Sequence, residues 1–486
     1  MTTPGLALAL RQVGRHARRV VVVTDRYPPH SVGGAEVSLH IVLRALSMGT
    51  EVLVVTFGDK NLTARVYCHE GVDVLELPRQ ARWPRHQIPH GLEARLGNNP
   101  FAKRVLGRVV ETFATRPGAI GESAVVAQAV RSNASPRGGV PLDAVEWEDG
   151  LMARDLRKVL QSLRPQVVHA DNYRSIVVTA HASRGLGVHT VGVVRDNRFH
   201  CARYDQSVRT VRGFCAGCDF ACASEDDPES PERQRRLLQV TTRVRQDAIR
   251  SLDKTVVTSA YLEEQLSRIV PGDRVVRIPN TPDDAGSADE WMMGVPELPG
   301  MNLLVVGMIN ENKGQLGLVR GLTDLVGMVP DVHLHLAGRG PRLESKLREL
   351  LERQGLSHRV TFHGHVDRPT LYALYRRCQI VVLPTLWPEP FGRVPLEAGM
   401  ARRPVVSFSV GGLRESILDG ATGLLVPPDD YESLFVAIRK LAVSPETCRA
   451  MGERAREHVL RTYMLDQVTN KLRELWASFG DGSHER

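Results

Sequence analysis

Glu389 and Glu397 stand eight positions apart in WPEPFGRVPLEAG, with Pro395 between them. A proline there suits the first turn of a helix, where its missing N–H costs nothing. Glu389 then lies on a loop, free to reach the sugar side of a bound ligand. Glu397 falls in the first helical turn, where a carboxylate can accept bonds from vicinal hydroxyls such as those of a ribose. Helix starts also expose unpartnered amides and the positive end of the peptide dipoles, so Phe391, Gly392 and Arg393 would present N–H groups to a phosphate. For Glu397 the plainer reading is a glutamate that complements the dipole at a helix start.

Three further loops offer phosphate chemistry. VVGMINENKGQ leaves an apolar run and places Lys313 at a helix start, where an ammonium is a point charge for a phosphate. Gly307 and Asn310 belong to the same loop and are candidates with it. LAGRGPR has the same form, with Gly338 and Gly340 allowing close approach and Arg339 as a contact. SVGGAE follows the first apolar run, and Gly33 and Gly34 let the backbone come near a ligand before a helix begins. Taken singly, each has a bland alternative: an exposed lysine or an ordinary turn.

Positioning these loops requires alternating strands and helices. RRVVVVTDRYPPHSVGGAEVSLHIVLRALSMGTEVLVVTFGDK reads as strand, loop, helix from about Ala35, and strand. PQVVHADN, HTVGVVRD, KTVVTSA and RVVRIPN supply more strands, with helical stretches at 151–163 and 175–184. After a loop-like stretch the pattern restarts at MNLLVVG and runs through VHLHLAG, RVTFHG, QIVVLPT, RPVVSFS and TGLLVPP. The expected fold class is α/β: two tandem Rossmann-like, doubly wound domains facing a cleft. The first would span 1–283, with a basic insertion at 79–150 and a cysteine-rich segment at 200–222. A linker at 284–299 would lead to the second at 300–445. A final helix within 446–486, read as continuous over about 446–478, could lie on either domain, including a crossing back to the first.

With 486 residues, 42% hydrophobic and 24% charged, the chain has the composition of an ordinary globular protein of about two domains. Its net charge of +8 and pI of about 9.2 favour acidic partners. Between Arg79 and Pro117 eight Arg or Lys stand against two Glu, with Trp83, Phe101 and Phe113 among them. That is either a surface for an anionic or lipid-linked acceptor or a plainly solvated one. The short apolar run near the start precedes its arginines, unlike a signal peptide. The expectation is therefore a cytoplasmic protein, with any membrane contact peripheral, at the inner face.

Read together, EPFGRVPLE, GGAE, GMINENKG, GRGP, FHG, GGLRE and TGLLVPP resemble, in order and context, the glycine loops and E-x7-E motif of retaining glycosyltransferases of family four, which have the GT-B fold. VTSAYLEEQL followed by RIPNTPD is similar to that family's segment before the domain crossing. The resemblance covers roughly 19–60, 165–200, 252–283 and 302–430. It implies that Glu389 contacts the donor sugar and stabilises the transition state, and that Glu397 holds the ribose. Lys313 would bind the diphosphate, helped by amides near Phe391 and Gly392 and by the Gly33–Gly34 loop. It also implies a nucleotide diphosphate sugar as donor, same-face attack through an oxocarbenium-like transition state, and no divalent metal for the leaving group.

Two positions depart from the pattern. Met308 stands where the family usually has arginine, and Arg195-Asp196 where it has His-Asp, with His200 close by in sequence. Arg195, Asp196 and His200 are accordingly candidates for the acceptor or sugar side. The departures motivate an alternative reading: a catalytically weak or inactive nucleotide-sugar-binding protein of the same fold. An oxidoreductase is disfavoured, since no G-x-G-x-x-G follows the first strand with an acidic residue about 20 positions on. No nucleic acid is expected as partner. Cys201, Cys215, Cys218 and Cys222 crowd into 22 positions with C-x2-C at their core, which suits a structural zinc, against free thiols or a redox role.

Overall fold

In a computed structural model, residues 20–29, 34–58, 64–78, 142–201 and 231–480 are described. Residues 79–141 of the basic insertion, and Cys215, Cys218 and Cys222, lie outside them, while 142–150 open a helix that continues to Leu163. The first sheet contains β1 (Val20–Thr24), β2 (Val52–Gly58), β3 (Arg65–His69), β4 (Val72–Pro78), β5 (Val167–Asp171), β6 (His189–Val194), β7 (Lys254–Val257) and β8 (Val275–Arg277). Their order is β3-β4-β2-β1-β5-β6-β7-β8, parallel throughout except for the antiparallel pair β3–β4. The second sheet contains β9 (Met301–Val306), β10 (Val332–Ala337), β11 (Val360–Gly364), β12 (Ile380–Leu383), β13 (Val405–Phe408) and β14 (Gly423–Val426). It is wholly parallel, in the order β11-β10-β9-β12-β13-β14.

The valine run of β1 shows why these segments are strands. Its side chains alternate between two buried layers. Val21 and Val23 pack with Met152, Leu156 and Leu160 of helix Leu142–Leu163. Val20 and Val22 pack with Leu39, Leu43 and Leu46 of helix Gly34–Ser47. In both sheets the connections reverse direction beside the first strand, between β1 and β5 and between β9 and β12. Such switch points leave a crevice at the strands' carboxyl ends.

Three elements differ from the sequence reading. The β3–β4 hairpin, turning at Glu70 and Gly71, extends the first sheet at its edge. The stretch 284–299 contains a helix, Ala285–Met292, started by Asp284, whose side chain accepts from the Ser287 amide. The final helix is two, Pro445–Thr462 and Leu465–Ala477, broken where Met464 is extended. Tyr463 fixes the break, with its ring edge-on to Phe391 and its hydroxyl on the Glu415 carbonyl.

The break carries the chain from one sheet to the other. Residues of Pro445–Thr462 close on helix Val394–Met400, where a Cβ on Gly399 would lie 2.7 Å from Val459. Leu465–Ala477 packs Val468, Leu472, Leu475 and Trp476 into the first sheet's core. Trp476 Nε1 donates to His169 Nδ1 on β5 at 3.3 Å. Burial pushes the His169 pKa down to about 4, so the ring is neutral and accepts that bond. The contribution is present above the unfolded-chain value of ~6.5 and is lost as pH falls toward the folded value.

Trp476→Ala should therefore cost about 3–5 kcal/mol and lower the urea midpoint. An unchanged midpoint would mean that this helix does not hold the first sheet's core.

Candidate functional site

The loops that leave β9 and β12 meet at the switch point of the second sheet. The Asn312 carbonyl accepts from the Leu386 amide at 2.8 Å and from the Thr385 hydroxyl at 3.2 Å. Gly314 makes this approach feasible: at φ 72°, a Cβ there would sit 1.7 Å from the Pro384 carbonyl oxygen. Asn310 shapes the turn before it, its side chain accepting from the Lys313 amide at 3.1 Å. Gly307 lies at the exit of β9, with the position of a Cβ 4.0 Å from Lys313 Cε.

Lys313 thereby reaches Glu389, Nζ to Oε2, at 2.6 Å. Trp387 Nε1 donates to the same oxygen at 2.8 Å, and its ring centroid is 5.1 Å from the ammonium. Among the described residues Glu389 Oε1 takes no hydrogen bond. The carboxylate is thus oriented through one oxygen, and the other is available to a ligand.

The backbone beneath is held at three consecutive carbonyls. Asn197 Nδ2 donates to Pro388 O at 3.0 Å, the Gly412 amide to Glu389 O at 2.7 Å, and the Ser259 hydroxyl to Pro390 O. Asn197 and Ser259 lie beyond β6 and β7 of the first sheet, whereas Gly412 belongs to the second domain. Both domains therefore grip the loop. Prolines on either side of Glu389 bring no N–H of their own that would need a partner.

Glu397 has a different environment from the one its spacing suggested. It is 3% exposed. Tyr375 donates to Oε2 at 2.9 Å, and Arg368 and Arg393 lie 3.0 and 3.3 Å from Oε1. Asp283 joins the group through Arg368, Tyr372 at 3.1 Å and Arg393 at 3.5 Å. Burial alone would raise the Glu397 pKa, but the two guanidiniums and the tyrosine hold it below the usual range. Its ionised form contributes stability above ~4.3 that is lost as pH falls through the folded value. Arg393 also donates to Ser38 Oγ on helix Gly34–Ser47 at 3.0 Å, joining the domains.

The other sequence candidates fall into place around this centre. Phe391 is buried, and Gly392, at φ 83°, would drive a Cβ to 2.7 Å from Leu413 Cδ2. Gly34 opens helix Gly34–Ser47, while Gly33 lies outside the described residues. Arg339 is exposed after β10, its carbonyl accepting from the Ile309 amide at 2.9 Å. Met308 is 66% exposed. Arg195 forms a two-pronged pair with Asp171 at 2.6 and 2.7 Å and donates to Asn280 at 2.6 Å, so its charge is matched inside the first domain. Asp196 pairs with Arg198. Cys201 is buried and His200 half-buried, and burial pushes the His200 pKa down to about 4.

Sequence reasoning missed Trp387, Asn197, Ser259, Arg368, Tyr375 and Asp283. Trp387 alone carried a signal, as the aromatic two residues before the glutamate. The others act across 22 residues or more.

Comparisons with known proteins agree with this architecture. The model of "Glycosyl transferase 4-like domain" matches residues 33–281, and that of "Glycosyl transferases group 1" matches 300–458. The glycogen synthase of Mycobacterium tuberculosis is 28% identical over 244 residues, 49% of this chain and 57% of the relative. The phosphatidyl-myo-inositol mannosyltransferase of Mycolicibacterium smegmatis is 28% identical over 274 residues, 52% and 70% of the two. The chain thus spans little more than half the length of the first of these. Sucrose-phosphate synthase from Thermosynechococcus elongatus superposes with TM-score 0.65 at 18% identity, covering 94% of this chain and 98% of that one. HepE of Anabaena, in complex with UDP-glucose, gives 0.61 at 16%, covering 94% and 99%. The fold is GT-B, two parallel-sheet α/β domains.

Arg368→Ala would leave Glu397 and Asp283 one guanidinium short. Because Arg368 is itself 30% exposed, the loss should sit near the lower end of the range for breaking a buried pair, about 3 kcal/mol. Chemical denaturation measures it, and an unchanged midpoint would show that Arg393 alone balances the carboxylates.

Proposed function

The chain belongs to the glycosyl transferase 4-like family, and we propose that it moves a sugar from a nucleotide diphosphate sugar to an acceptor hydroxyl with retention of anomeric configuration. The observation that carries this reading is the Lys313–Glu389 pair, held at the switch point where such sheets bind ligands.

A donor's diphosphate would compete with Glu389 for the Lys313 ammonium. As Lys313 turns to the phosphates, Glu389 loses its cation but keeps the Trp387 bond, and its carboxylate faces the sugar. It then stabilises positive charge developing at the anomeric carbon. The bond from that carbon to the β-phosphate oxygen breaks while the acceptor oxygen bonds on the same face, and the acceptor proton passes to the departing phosphate. Lys313 and the amides at Gly392 and Arg393 offset the leaving group's charge, without a divalent metal.

Glu397 enters this scheme differently from the sequence expectation. With both oxygens engaged, it reaches a ribose only if Arg368 or Arg393 moves. We assign it first to positioning Arg393, and through Arg393 the loop that bears Glu389. The acceptor in this reading is a glycan, a lipid carrier or a natural product. Among the described residues no helix is long and apolar enough to cross a membrane.

The test is nucleotide diphosphate release from a panel of nucleotide sugars, with the product's anomeric configuration read by NMR. Glu389→Ala should lower kcat by about 10²–10³-fold without weakening nucleotide diphosphate binding, since it removes the carboxylate that competes for Lys313, whereas Lys313→Ala should weaken that binding. Full turnover in Glu389→Ala, or an inverted product, would contradict the assignment.

A further inference from the structure

We propose that His40, His69 and Glu70 form a binding site for a divalent cation of the zinc class on the flank of the first domain, apart from the site of sugar transfer. Three elements converge there: helix Gly34–Ser47 supplies His40, the end of β3 supplies His69, and the β3–β4 turn supplies Glu70. Their donor atoms all lie within 4.8 Å of one another. Ligands 2.0–2.2 Å from zinc stand about 3.3–3.6 Å apart in a tetrahedron. His40 Nε2 and Glu70 Oε2 are already 3.4 Å apart, one such edge. Closing the shell asks His69 to move by about 1 Å.

The surroundings suit ligation. The Tyr27 hydroxyl lies 2.8 Å from His40 Nδ1. With the ring proton on Nδ1 donated to Tyr27, the Nε2 lone pair faces Glu70, the arrangement in which a second hydrogen bond orients a metal-bound imidazole. Two imidazoles and one carboxylate match zinc or cobalt rather than magnesium or calcium. Glu70 is 52% exposed, which leaves the fourth position to water.

Arg44 competes with the ion, its Nη1 lying 3.0 Å from the same Glu70 oxygen. An ordinary surface pair would use Arg44 alone. Here two imidazoles from separate elements converge on that carboxylate, their ring centroids 4.8 Å apart. On the helix, His40 lies about 200° round from Ser38, the residue bonded to Arg393. An ion would therefore sit away from the contact with the second domain. It would tie the helix to the hairpin and, through Tyr27, steady the loop after β1. This inference does not rest on the proposed activity.

The test uses the full chain, stripped with chelator and titrated with Co²⁺ by absorbance, then with Zn²⁺ by calorimetry and thermal melting. Cobalt at this site should give ligand-field bands without thiolate charge transfer, which separates it from any ion held by the cysteine cluster. Zinc should raise the melting temperature. His69→Ala should abolish the event, and Tyr27→Phe should weaken it by about 10–100-fold. Arg44→Ala should strengthen it by removing a neighbouring positive charge. Equal affinity in His69→Ala and wild type, or thiolate charge transfer from all bound cobalt, would overturn the proposal. So would weaker binding in Arg44→Ala.

Discussion

Three consecutive carbonyls, of Pro388, Glu389 and Pro390, accept bonds from Asn197, the Gly412 amide and Ser259. Two of the donors come from one domain and one from the other. A loop held this way cannot tilt without breaking bonds on both sides, so the direction of the Glu389 side chain is set before any ligand arrives. Lys313 and Trp387 then fix one carboxylate oxygen and leave the other accessible. Preorganisation of this kind is where electrostatic catalysis gains most, because no dipole has to be rearranged as charge develops.

Beside the loop lies a denser set of charges. Asp283, Arg368, Arg393 and Glu397 balance two carboxylates against two guanidiniums, with hydroxyls from Tyr372 and Tyr375 on the acids. Asp283 lies at the crossing between domains, and Arg393 reaches back to Ser38. The network thus couples the crossing, the first domain's helix Gly34–Ser47 and the short helix Val394–Met400. Its members hold one another in place, which explains how Glu397 stays charged while buried.

Much of this was legible in the sequence, for identifiable reasons. Parallel strands covered on both faces must be apolar along their length, so VVVV and LLVV announced themselves. The close approaches at Gly314 and Gly392, which no other residue permits, show only in the packing. Local pattern could not show that Glu397 would meet Arg368 and Tyr375, 29 and 22 residues upstream. It could not show that Arg195 would be matched by Asp171 on the neighbouring strand. The β3–β4 hairpin was lost in a stretch of mixed polarity, and the break at Tyr463 was hidden because helical periodicity runs on either side. In each case a tertiary contact, Phe391 against Tyr463 for instance, decides what local sequence leaves open.

The central claim is that Lys313 and Glu389 divide a nucleotide sugar between them, ammonium to phosphate and carboxylate to sugar. A crystal structure with an intact, unreactive donor analogue tests it most directly. The pyrophosphate should lie within hydrogen-bonding distance of Lys313 Nζ, with that lysine parted from Glu389 and the Glu389 carboxylate facing the sugar ring. Pyrophosphate bound elsewhere, or a Lys313–Glu389 pair unbroken beneath a bound donor, would contradict it.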